Sequence, residues 1–180
     1  PGEHTVTIDL VDLTPEPDVI LETLMGTLTV IPRPLPTITS DDLPTDLIEN
    51  VSAEFNITAE NEADGYAYTN VIFKYVITDA LITDITLFEY WDGDSWEPMP
   101  MEQQVNDVVG YYGPPTGFPM PAPYTATSKF RIEFALSGEH TFTIDLVDLT
   151  PEPDETLATL TGNFSVWEEM FPIYLPLIYK

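Results

Sequence analysis

Hydrophobic and polar residues alternate along most of this chain, and the alternation predicts strands rather than helices. Near the start, Val6, Ile8 and Leu10 fall on one face, with Thr5, Thr7 and Asp9 on the other. At Leu10–Val11 the phase slips by one residue and then continues through Leu13, the mark of a β-bulge. The run TPEPD (Thr14–Asp18) is a turn, because its two prolines fix φ and remove donors. Leu24, Gly26, Leu28 and Val30 then resume the alternation. The prediction is a β-hairpin with one apolar face.

The same pattern returns. Gly138–Val166 repeats Gly2–Val30 at 21 of 29 positions, without a gap, at an offset of 136 residues. His4 and His140, the two histidines, are one position in two copies. A repeat of this kind predicts a piece of a tandem array. The first copy reads as the end of a preceding unit. The second has a full set of strands before it.

Between the copies, Ile31–Thr37 (IPRPLPT) alternates proline with other residues, and residues 31–46 read as a stiff linker. Val51, Phe55, Ile57 and Ala59 alternate with polar residues, predicting a half-buried strand. Val71, Phe73, Tyr75 and Ile77 predict another, central because Ile72 and Val76 occupy its second face. Asp92-Gly93-Asp94 marks a hairpin between Thr86–Trp91 and Ser95–Met99. Gln104–Tyr112 reads as a further strand, and Phe130, Ile132, Phe134 and Leu136 as the last before the repeat. Gly110–Tyr124 holds five prolines and four aromatic residues and reads as a long crossing loop. Seven to nine short strands and no helical period predict an all-β, antiparallel sandwich over residues 47–166, with a partial hairpin repeat at 1–30.

Composition sharpens this picture. With 31 acidic against five basic residues, the net charge is −26. Such a chain cannot displace counterions from a nucleic acid, and it is repelled by anionic membranes. Solubility and mutual repulsion account for the charge; a surface that collects divalent cations is the sharper reading. There is no cysteine, so disulfides and thiolate metal sites are excluded. No apolar run reaches the length of a spanning helix. The chain opens on Pro1 rather than Met, which leaves either a removed leader or residues upstream as the expectation.

The stretch from Tyr90-Trp91-Asp92 through Gly113-Pro114-Pro115-Thr116-Gly117-Phe118-Pro119 and Tyr124-Thr125-Ala126-Thr127 to Phe130-Arg131 and Gly138-Glu139-His140-Thr141 resembles bacterial immunoglobulin-like repeats of secreted and cell-surface proteins. The resemblance covers roughly residues 45–166 and the half-copy at 2–30. It implies an extracellular spacer, adhesive or fibrous role. The strong acidic bias and the incomplete first unit depart from the pattern.

Candidate chemistry is sparse. The histidines read as surface or edge residues, with no nucleophile pattern beside them. Asp92, Asp94 and Glu97 form an oxygen-rich turn that could hold calcium, although the loop lacks the length and third aspartate of a helix-loop-helix site. Tyr111, Tyr112, Phe118 and Tyr124, with Trp91 and Trp96, could stack on a ligand such as a sugar ring, or simply hold the proline-rich loop. The apolar face of Val6, Ile8, Leu10, Leu24 and Leu28 needs a cover that a lone hairpin cannot supply. The segment 167–180 carries Ile173, Leu175, Leu177 and Ile178 between prolines. It reads as a docking strand, a surface-sorting tail or a segment packed on its own domain. The expectation is a non-enzymatic structural protein of the cell surface or a filament, whose partners are copies of itself or adjacent repeats joined head to tail. An adhesin or carbohydrate-binding module is the alternative.

Overall fold

The computed structural model describes residues 2–12, 19–30 and 34–168. The chain divides into two compact units, Pro1–Arg33 and Pro34–Lys180.

The first unit is the predicted hairpin. Strand β1 (Gly2–Asp12) pairs antiparallel with β2 (Val19–Val30), and the register shifts at Leu10/Val11, where the alternation slips. Thr23 Oγ1 donates to Asp9 Oδ1 across the pair at 2.6 Å.

The second unit contains twelve strands: β3 (Thr37–Thr39), β4 (Asp46–Ile48), β5 (Ala53–Asn61), β6 (Tyr68–Thr78), β7 (Ile85–Trp91), β8 (Trp96–Pro98), β9 (Met101–Gln104), β10 (Asp107–Tyr112), β11 (Phe118–Met120), β12 (Tyr124–Phe134), β13 (Gly138–Asp148) and β14 (Glu155–Trp167). One sheet runs β4-β14-β13-β6-β10-β9, with β11 also on β6; the other runs β3-β5-β12-β7-β8. Every pair is antiparallel except β4 with β14. Inward residues of the two sheets form one core, an immunoglobulin-like sandwich. Phe55, Ile57, Phe130, Ile132 and Phe134 from one sheet meet Tyr75, Ile77, Phe142, Ile144 and Phe164 from the other. Rings carry much of this contact: Phe55 meets Phe142 edge-on at 5.7 Å, and Phe142 stacks on Phe164 at 5.2 Å.

The second hairpin reproduces the first. Strands β13 and β14 pair with a register shift at Leu146/Val147, and Thr159 Oγ1 donates to Asp145 Oδ1 at 2.6 Å. Here, however, β13 is flanked by β6 and β14 by β4. Leu43 packs over Gly162, where a Cβ would come within 2.4 Å of Leu43 Cδ2 and the leucine tip would have to shift. At Gly26, the matching position, nothing lies within 4 Å.

Four expectations are corrected. Residues 34–46 are not a free linker: β3 pairs with β5, Ile38 is buried, and Asp42 accepts from the Asn56 amide at 2.7 Å. The prolines end at Pro36, so Thr37–Thr39 keep their donors for pairing and their alternation points Ile38 inward. The expected strand Gln104–Tyr112 is instead a β9–β10 hairpin, turning where Val105 takes a φ of 56°. The expected loop at 110–124 is shorter, since β10 runs to Tyr112 and β11 interrupts the remainder. Trp167 belongs to β14, where its Nε1 donates to Asp46 Oδ1 at 3.0 Å, and not to a separate tail.

Candidate ligand site

The site lies where the end of β10 and the 113–123 segment pass the open side of the sandwich. Tyr112 is opposite Phe73 in the β10–β6 ladder. Gly113 (φ +126°) redirects the chain, and Gly117 N–H donates to the Pro114 carbonyl at 2.8 Å. Gly117 (φ +76°) lies so close to Asn70 that a Cβ would come within 2.4 Å of its backbone. No other residue fits that turn without displacing β6. Phe118 then reaches Val71 as β11 pairs with β6. Asn61 holds the far end, donating from Nδ2 to the carbonyls of Tyr66, Met120 and Pro121.

These constraints bring rings together. Phe73 lies 5.6 Å from Phe118 and 6.0 Å from Tyr112, Tyr112 lies 4.9 Å from Tyr90, and Phe118 stacks on Tyr124 at 6.4 Å. They border a cavity of about 660 Å³, completed by Pro100, Pro114, Pro119 and Ser128 among others. No charged side chain lines it. Among the described residues, the Tyr90, Tyr112 and Tyr124 hydroxyls have no hydrogen-bond partner in the protein. Burial, then the neighbouring Tyr112, pushes the Tyr124 hydroxyl above its usual range, so it stays protonated as a donor.

All four loop rings named from the sequence border this cavity. Tyr111 is at its edge and also borders a second cleft of about 210 Å³ with Ile72, Lys74 and Asp145. Sequence reasoning missed the cavity role of Phe73 and Tyr90. Alternation marks Phe73 as inward-facing, but it does not reveal which strands become neighbours.

The tryptophans are elsewhere. Trp91 and Trp96 meet edge-on at 5.5 Å, and the Arg131 guanidinium lies 4.5 Å from the centre of the Trp96 ring. Arg131 also pairs with Glu89, and Lys129 with Glu54. In the adjoining turn, Asp92 Oδ1 accepts from the amides of Asp94 and Ser95, each at 2.8 Å, and Glu97 accepts from Ser95 Oγ. The Ser95 and Asp94 amides hold the Asp92 carboxyl below its usual range. Asp92, Asp94 and Glu97 therefore cap a hairpin. Among the described residues, no group of three or more histidine or acidic side chains is placed to share an ion.

His140 is not a surface residue. It is buried, stacks flat on Phe134 at 4.8 Å, and donates from Nδ1 to the Asp79 carbonyl at 3.0 Å. His4 is exposed. The same division holds for the assembly face: Val6, Ile8 and Leu10 are 44%, 61% and 58% exposed, whereas Phe142, Ile144 and Leu146 are fully buried. Leu24 and Leu28 are exposed too. Ile173, Leu175, Leu177 and Ile178 lie outside the described residues. Among the described residues, no helix is long and apolar enough to cross a membrane.

No family model matches the chain, and no curated protein matches it. Among solved structures, it is similar to AvmM, which catalyses macrocyclization in alchivemycin A biosynthesis. The likeness has a TM-score of 0.55 and 14% identity over 76% of this chain and 91% of that one. Part of the N-terminal region of an enterococcal surface protein gives a TM-score of 0.48 at 15% identity, over 74% of this chain and 43% of that one. Domains 4 and 5 of the S-layer protein SbsC give 0.38 at 14%, over 92% and 58%. At these identities the likeness to AvmM shows the fold alone.

Proposed function

We propose that this chain is a structural component of an extracellular or cell-surface assembly, built from immunoglobulin-like units joined in series or by strand exchange. One observation carries the reading. Nine positions of the second hairpin are buried: His140, Phe142, Ile144, Leu146, Val147, Asp148, Leu157, Phe164 and Val166. Seven of the nine hold the same residue in the first copy, and the other two remain apolar as Val6 and Leu28. The first hairpin is therefore written to be buried as the second is, antiparallel to a strand like β6. An isolated two-stranded hairpin is marginal in water, so its partner comes from an adjacent repeat or another copy. The charge of −26 fits an outward role in which units repel non-specific neighbours.

Light scattering with amide exchange tests this. The expected result is slow exchange of the β1 amides in material that is polymeric or carries a preceding unit. A monodisperse monomer whose β1 amides are protected without a partner would overturn it.

The cavity favours a second reading, an adhesin or carbohydrate-binding module. Ligand screening against a Phe118→Ala variant tests it, since binding that ignores Phe118 removes the cavity from consideration.

A further inference from the structure

We infer that the cavity walled by Phe73, Tyr90, Tyr112, Phe118 and Tyr124 is a docking groove for an extended, proline-rich segment without acidic residues. This rests on the second reading above only in that the cavity takes a ligand, and it puts a peptide where that reading allows a sugar.

The polar inventory discriminates between ligands. A sugar presents many hydroxyls, each a donor and an acceptor, and its recognition needs carboxylates, amides or guanidinium groups placed around the ring. This cavity offers no charged side chain and no side-chain amide, only tyrosine hydroxyls and Ser128 among apolar rings and prolines. A buried sugar would leave donors unsatisfied there, each at a cost. A proline-rich segment has the complementary chemistry. Its rings are apolar, its carbonyls accept, and each proline lacks an N–H donor. Hydroxyl donors set in an aromatic groove are what such a segment needs, and its extended helix loses little entropy on docking. Among the described residues, the hydroxyls of Tyr90, Tyr112 and Tyr124 have no partner.

Charge narrows the partner further. The surrounding chain carries 31 acidic residues, so an acidic segment is repelled, a neutral one is tolerated and a basic one is drawn in. The run Ile31–Thr37 (IPRPLPT), with three prolines and an arginine, has this composition. A peptide of that sequence, supplied free, is a fitting probe.

The experiment is an amide chemical-shift titration of the full chain with two probes, the IPRPLPT peptide and an oligoproline. In parallel, the chain is screened for binding to neutral oligosaccharides. The expected result is saturable shifts around Tyr112, Phe118 and Tyr124. Tyr112→Ala should weaken binding at least about tenfold, and Tyr124→Phe, which removes only a hydroxyl, about threefold or more. Because Tyr112 packs on Phe130 at 5.4 Å, its variant could lose the fold; Tyr124→Phe keeps the ring and remains decisive. Peptide binding unchanged by Tyr124→Phe and a folded Tyr112→Ala overturns the inference. Oligosaccharide binding that depends on Tyr112, with no response to either peptide, overturns it while leaving the ligand-site reading intact. No binding to any probe overturns both.

Discussion

His4 and His140 show how little a residue's identity says without its neighbours. Replacing His140 by Ala removes the Nδ1 donor to Asp79 and the stacking on Phe134. The expected cost is about 1–3 kcal/mol, read from denaturant unfolding. Replacing His4 by Ala in the unassembled chain should change stability by less than about 0.5 kcal/mol. Asp42 carries the acid response of the β3–β4 segment. Burial works to raise its pKa, but hydrogen bonds from Asn56 and Ser40 outweigh it and hold the carboxyl below its usual range. A folded pKa below the unfolded value means its contribution is complete above about pH 4 and fades as pH falls through the folded value. Asp42→Ala should therefore lower Tm at pH 7, and the gap from wild type should shrink below about pH 3. Thermal scans at both pH values check this.

Strand-level features were mostly legible because a sandwich exposes one face of each strand, and that imposes a period of two. Val71, Phe73, Tyr75 and Ile77 announced a central strand, and the slip at Leu10/Val11 announced a bulge in both copies. Where proline dominates, the period is hidden. Strand β3 lies beside a proline alternation that reads as a stiff linker, and β11 contains Pro119 within a stretch that reads as a loop, although each pairs with a longer strand. The cavity was half legible for a related reason. Tyr112, Phe118 and Tyr124 stood out by ring density in one segment, whereas Phe73 and Tyr90 join them only through pairing and sandwich closure. Two positions hold the 113–123 segment in place. Gly117→Ala forces a side chain into the left-handed region and against Asn70, at an expected cost of about 2–4 kcal/mol. Asn61→Ala frees three carbonyls and should increase amide exchange at Met120 before the rest of the sandwich responds.

At the scale of the molecule, two hairpins share nearly one sequence, and among the described residues the second is flanked by β6 and β4. The second hairpin differs inside the core chiefly by Phe142 for Val6 and Phe164 for Leu28, two rings in place of two smaller side chains. Those rings fill the space against Phe55 and each other, and trimming them costs on the order of 2–5 kcal/mol in a packed core. What distinguishes the two hairpins as partners for a strand like β6 is therefore packing volume, since the hydrogen-bonding pattern, the bulge and the threonine–aspartate bond are common to both. A Phe142→Val, Phe164→Leu chain should lose on the order of 2–5 kcal/mol in denaturant unfolding, while the reverse exchange at the exposed Val6 and Leu28 should leave stability nearly unchanged. Two phenylalanines are thus what set one copy of a nearly identical hairpin apart from the other.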